Sequence, residues 1–238
     1  MKKFFQFYNY SIVLILFSFA VSFQQFFLTT DMSSKIIEHP QSAFLLFLMP
    51  SVASLVTLII FTASQMPEVF IETDHLNSAN NSTSHSQLKA IGQMNLAIVV
   101  FFVWLHFSMI QEMLNPSDLI MISNVSLGIG FLMVGIGLTA HKIQRNLAIG
   151  FRTPWTIRNA VNWQKTHHFA GRVFLILGSF NILINLYLQL AQNKEIFFLS
   201  LPASLIIIAS LIGYFYSYFI YRERLDTSSA DINHDSEK

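Results

Sequence analysis

Residues 150–171, GFRTPWTIRNAVNWQKTHHFAG, gather side chains able to do chemistry: Arg152, Arg158 and Lys165, Trp155 and Trp163, and the neighbouring His167 and His168. Adjacent histidines invite a metal or haem site. Neighbours on a helix, however, point about 100° apart, and metal-binding helices space their histidines by four, so the pair reads instead as a carbonyl cap or a group titrating near neutral pH. Arginine and tryptophan are the types most enriched at binding hot spots. Arg152, Trp155, Arg158, Trp163, Lys165 and His167 are therefore a candidate recognition surface for a protein or peptide. The competing reading is a cation-rich loop whose tryptophans sit at lipid headgroup level.

The elements that would hold these side chains follow from local rules. Thr153 before Pro154 is a helix start, because threonine caps free amides and proline fits the first helical position without losing a bonded donor. On a helical wheel Ile157, Ala160, Val161 and Trp163 fall on one side, and Arg158, Asn159, Asn162, Lys165 and Thr166 on the other. A short amphipathic helix lying along a membrane interface is expected here.

The chain around it is 53% hydrophobic and only 11% charged. A soluble domain carries about 25% charged residues, so this composition belongs to a membrane protein. Six runs approach the ~20 apolar residues that a helix needs to cross a bilayer: 11–28, 43–63, 94–110, 119–140, 169–190 and 196–221. Lys2 and Lys3 before the first run, with Ala20-Val21-Ser22 behind it, resemble a secretory signal, but apolar sequence continues through Phe26, Phe27 and Leu28 and suits a retained anchor. Six crossings put both termini on one side. Placing them inside leaves only Lys35 and Lys194 outside among the 14 cations, so both termini are expected in the cytoplasm, as is the loop carrying residues 150–168. Tyr214, Tyr216, Tyr218 and Tyr221 before Arg222 read as an interfacial aromatic belt.

Other polar positions suggest further roles. His106 inside the third run is a candidate proton relay or axial ligand, with a histidine bonded to a neighbouring helix as the plainer reading. Asn181, Asn185 and Gln189 form a stripe at spacings of four, read as interhelical bonding in preference to the lining of a cavity. Ser123, Gly130 and Gly137, a heptad apart, together with Ser126, place the fourth crossing at the centre of the bundle, and Pro50 should kink the second. SANNSTSHS at 78–86 reads as a flexible tether and the acidic end beyond Arg224 as a disordered tail. A net charge of +1 gives no reason to expect a nucleic-acid partner. There is no cysteine, Walker A motif, GxSxG elbow, HEXXH pair or acidic pair within a crossing, so neither catalysis nor a cofactor or metal is expected.

The run GIGLTAHKIQRNLAIGFRTPWTIRNAVNWQKTHHFAGRVFLILG resembles the hallmark of the SdpI family of bacterial multi-spanning immunity proteins, in which an Asn precedes an IGIRTPWT-like block and a W-x-K-T-H block follows. The matching positions are Asn146, Ile149, Gly150, Arg152, Thr153, Pro154, Trp155, Thr156, Trp163, Lys165, Thr166 and His167. The N-terminal part departs from the pattern, with TTDMSSKIIEHPQ after the first crossing and SANNSTSHS after the second. The resemblance divides the chain into a diverged two-helix segment at 1–92, a four-helix region at 93–224 and the tail at 225–238. It implies a multi-pass inner-membrane protein that gives resistance to a secreted toxic peptide of the sporulation-delaying type. It further implies a receptor role in which a cytosolic repressor is held at the membrane. The alternative class is a small-solute transporter using His106 and the Asn181 stripe, and a third is a membrane enzyme or haem carrier using His106, His141 and His167.

Overall fold

The computed structural model describes the backbone of residues 2–28, 41–65, 81–115, 118–146, 149–191 and 197–236, and the side chains of these apart from 2–5, 41–42, 81–86, 118–120, 197–200 and 225–236. Its elements are helices, with no strand among the described residues. They are α1 (Lys2–Leu28), α2 (Gln41–Gln65), α3 (Asn81–Leu114), α4 (Asp118–Ala140), the single-turn α5 (Pro154–Arg158), α6 (Ala160–Leu190) and α7 (Phe197–Ser236). All but α5 contain a stretch long and apolar enough to cross a membrane. Large apolar side chains such as Leu16, Ile59, Ile176, Leu183 and Phe219 point outward, as a lipid-facing surface requires.

Three of the spans begin earlier than the apolar runs predict, at Gln6, Gln87 and Ala160 in place of 11, 94 and 169. The polar residues that ended the apolar run in α6 turn inward: Asn162, Thr166 and His167 are buried. α7 continues to Ser236, where a disordered tail was expected from 225, because each residue added to an anchored helix gains one hydrogen bond for one residue fixed. The tether at 78–86 lies partly outside the described residues; from Asn81 its backbone is helical. The loop at 29–40 is likewise outside them.

Helices α1, α2 and α3 pack on one another, α4, α6 and α7 do the same, and α3 against α4 joins the two groups. Small residues on α4 make this arrangement feasible. Gly128 and Gly135 face α3: a Cβ would come within 2.7 Å of the Trp104 ring and of the Ala97 Cβ, respectively. Gly130 and Gly137 face α6, where a Cβ would lie 2.8 Å from Asn181 Nδ2 and 2.7 Å from the Gly171 carbonyl oxygen. Two residues turn a helix by about 200°, so the two glycine pairs occupy opposite faces and α4 is approached closely from both sides. The polar stripe of α6 closes that contact. Asn181 Nδ2 donates to the Ser126 carbonyl at 2.8 Å, Gln189 Nε2 to Ser123 Oγ at 2.5 Å, and Asn185 Nδ2 to the Asn181 carbonyl at 2.7 Å. Asn181 and Gln189 thus bond α6 to α4, and Asn185 bonds within α6.

In the first group the same need for satisfied polar groups explains Pro50. Proline has no N–H to offer the carbonyl four residues back, which is that of Leu46. Ser22 of α1 supplies the missing donor: its Oγ lies 2.9 Å from the Leu46 oxygen and 3.2 Å from Nε2 of the fully buried His106 on α3. One serine thus ties three helices, and His106 is bonded to a neighbouring helix.

The arrangement predicts a double-mutant cycle. Ser22→Ala should cost about 1 kcal/mol, the size of an interhelical hydrogen bond in a membrane protein, and the cost should shrink in a Pro50→Ala background, where the substituted residue has an N–H of its own to donate to the Leu46 carbonyl. Unfolding in mixed detergent would measure both.

Candidate functional site

Between α4 and α5 the described residues 141–146 and 149–153 form no helix, and Ile143, Asn146 and Thr153 among them are buried. Non-helical backbone at this depth must find a partner for every N–H and C=O it hides. The residues singled out by spacing supply those partners.

Asn146 opens the turn: its Oδ1 accepts from the Ile149 N–H at 2.7 Å and its Nδ2 donates to the Gln144 carbonyl at 2.8 Å. Gly150 follows at φ +122°, a left-handed value that side-chain-bearing residues rarely adopt, and a Cβ there would run into the His167 ring. The absence of that Cβ lets His167 reach the backbone. Its Nε2 accepts from the Phe151 N–H at 3.0 Å and its Nδ1 donates to the Trp163 carbonyl at 2.9 Å. An amide can only donate and a carbonyl only accept, so the ring is held neutral with its proton on Nδ1. Both nitrogens are thereby occupied, which removes His167 as a metal or haem ligand in this conformation. The Trp163 indole stacks on the same ring with centroids 4.0 Å apart, and its Nε1 donates to the Ile143 carbonyl at 2.8 Å.

Thr153 and Thr156 form a capping box. The Thr153 N–H donates to Thr156 Oγ1 at 2.9 Å, the Thr156 N–H donates to Thr153 Oγ1 at 3.2 Å, and Thr156 Oγ1 donates on to the Phe151 carbonyl at 2.6 Å. Pro154 fills the first helical position. α5 ends after one turn at Asn159, whose extended backbone restarts the chain as the N-cap of α6: its Oδ1 accepts from the Asn162 N–H at 2.9 Å. Asn162 Nδ2 donates to the Ser217 carbonyl of α7 at 3.0 Å, and Thr166 Oγ1 donates to Asn162 Oδ1 at 2.9 Å. Phe151 inserts between α6 and α7 over Gly213, where a Cβ would meet its ring at 2.7 Å. Trp163 also packs on Ala90 and Met94, so the knot reaches the first helix group.

The structure therefore splits the candidate recognition surface. Asn146, Thr153, Thr156, Trp163, Thr166 and His167 are buried with Gly150 at the turn, and they hold the fold. Arg152, Arg158 and Lys165 are exposed. Trp155 stands between the two sets, half-buried against the rings of Tyr214, Tyr218 and Tyr221, while Tyr216 stacks on Phe169. The expected amphipathic helix is corrected in two respects. Only Pro154–Arg158 forms the short helix, and Asn162 and Thr166, placed by the wheel on the outward face with Lys165, point into the bundle. Residues that motif reasoning missed are Phe151, Asn162, Gly213 and Ser217. Asn162 and Thr166, four apart on one face of a spanning helix, carried a usable signal, since polar groups in such helices face inward; Ser217 carried none.

Outside the knot His168 accepts from Arg172 Nη2 at 3.0 Å, and its ring meets that of His141 edge to face at 5.6 Å. Burial pushes the His141 imidazole below its ordinary pKa, with Lys142 and His168 adding to the effect.

Residues 142–217 match the SdpI/YfhL protein family. The match begins just after α4 and runs through the knot and α6 to Ser217 on α7, the residue bonded to both Asn162 and Thr153. The immunity protein SdpI of Bacillus subtilis (strain 168) is 24% identical over 122 residues, 51% of this chain and 57% of that protein. The chain thus aligns with little more than half of that relative's length. No solved structure matches it.

Within the SdpI/YfhL segment, Gly150→Ala should be severe. It combines a strained φ with a clash against His167, together at least about 2 kcal/mol. Trp163→Phe keeps an aromatic ring beside His167, leaves the Ile143 carbonyl without its donor and loses some packing on Ala90 and Met94, about 1–3 kcal/mol. Melting of the purified proteins in detergent should rank Gly150→Ala below Trp163→Phe.

Proposed function

We propose that this chain is a multi-pass membrane immunity protein that protects its cell from a secreted, membrane-active peptide. The observation supporting this reading is that the segment matching the SdpI/YfhL family folds into one buried, hydrogen-bonded knot, with Arg152, Arg158 and Lys165 exposed around it. The distribution of cations along the chain supports a cytoplasmic position for the knot and for both termini. The toxic peptide would then meet the opposite face or the lipid-facing helices, and the displayed cations would serve a cytosolic protein such as a repressor. A helix bundle with two arrangements, one favoured by the peptide, would couple the two faces. The transporter reading loses its main support, because Asn181, Asn185 and Gln189 are engaged in bonds between and within α4 and α6.

The test is survival. Expressed in a sensitive bacterium, the wild-type chain should raise survival against a panel of sporulation-delaying-type peptides, and Thr156→Val, which disrupts the knot, should lose that protection. Arg158→Ala with Lys165→Ala should keep protection and lose recruitment of a cytosolic partner, read by co-purification with the membrane fraction. Wild-type protein inserted at normal levels without any gain in survival would overturn the immunity reading.

A further inference from the structure

A groove of about 560 Å³ runs along the outside of the bundle between α3 and α4 and is lined almost wholly by apolar side chains, among them Leu96, Val100, Phe101, Phe131 and Leu138. Gln93, Thr139 and Lys142 mark one end of it. At the other end Trp104 crosses from α3 to α4, its Nε1 donating to the Asn124 carbonyl at 2.7 Å, and closes the groove. From Trp104 to Gln93 along α3, and from Gly128 to Lys142 along α4, the rise of 1.5 Å per residue gives a length of roughly 16–21 Å. Half of a bilayer core is about 15 Å. The groove therefore reaches from one membrane surface to about the midplane, the depth of a single leaflet.

Its open end is cationic. Lys142 is exposed, and Lys89 on α3 lies one helical turn beyond Gln93 on the same stripe. Among the residues whose side chains are described, neither makes an ion pair, and the acidic ones, Glu112 and Glu223, sit elsewhere: Glu112 beyond Trp104 on α3 and Glu223 on α7. An apolar channel one leaflet deep, closed at the midplane and bearing two lysines at its mouth, complements one amphiphile. We propose that it holds an acyl chain of an anionic phospholipid from the leaflet on the Lys142 side, with the headgroup phosphate at Lys142 and Lys89. The site is independent of the knot and of the immunity reading. It would make the packing of α3 on α4, the seam between the two helix groups, responsive to anionic lipid.

Trp104 provides the probe. The full chain would be reconstituted in phosphatidylcholine vesicles containing increasing fractions of phosphatidylglycerol brominated in its acyl chains, and separately of brominated phosphatidylcholine; Trp104→Phe protein identifies the Trp104 share of the fluorescence. Half-maximal quenching of Trp104 should need about 25-fold less brominated phosphatidylglycerol than brominated phosphatidylcholine. Each lysine near an anionic surface contributes about fivefold, so Lys142→Gln should cut the preference about fivefold and Lys89→Gln should remove the remainder. Neither lysine is buried, so the variants are expected to fold. Equal quenching by the two lipids, or a preference untouched by both substitutions, would overturn the proposal. Resistance of Trp104 to either lipid would overturn it too, since the groove would then be covered by protein, a second copy of this chain or a bound peptide.

Discussion

Backbone amides and carbonyls removed from water must be bonded, and in this chain that requirement organises everything else. Helices meet it internally over most of the length. Where the chain leaves the helix between α4 and α6, side chains take over: Asn146, Thr156, His167 and Trp163 each bond a main-chain group that has no helical partner. Ser22 does the same for the carbonyl that Pro50 leaves open. The polar residues of an otherwise apolar sequence are, in large part, the remedies for its interruptions.

The imidazole of His167 shows how far this goes. A histidine flanked by a second one, by cations and by a tryptophan has the composition of a functional site, yet its ring is fixed by two backbone groups and by an indole face. Gly150 allows that contact by having no Cβ. A neutral, saturated centre of this kind carries no chemistry of its own. What it does is hold Arg152, Arg158 and Lys165 in place around a short helix that could not persist alone, since one turn of helix is far below the length at which isolated helices form.

α4 is the other fixed point. Its glycines, spaced so that two faces lie about opposite, allow α3 and α6 to approach from both sides, and the knot at its end touches both helix groups through Trp163. A displacement at the knot and a displacement at the α3 seam therefore act on the same helix. Such a helix is a suitable carrier of coupling between the two membrane surfaces if the bundle has a second arrangement.

Much of this was legible in the chain. Apolar runs reveal spanning helices because a bilayer leaves few alternatives, small residues a heptad apart mark the close-packed α4, and Thr153-Pro154 announces a helix start from bonding rules that act within four residues. The character of the motif was not legible. Local sequence cannot tell whether Trp163 and His167 look outward to a partner or inward to a carbonyl, because that depends on where Ile143 and Phe151 come to lie, residues sixteen or more positions away. The wheel misplaced Asn162 and Thr166 for the same cause: the partner of Asn162, Ser217, arrives from α7, and Thr166 in turn bonds Asn162. Local bonding and hydropathy act along the chain and can be read along it; the direction in which a polar side chain finds its partner is decided when distant helices pack.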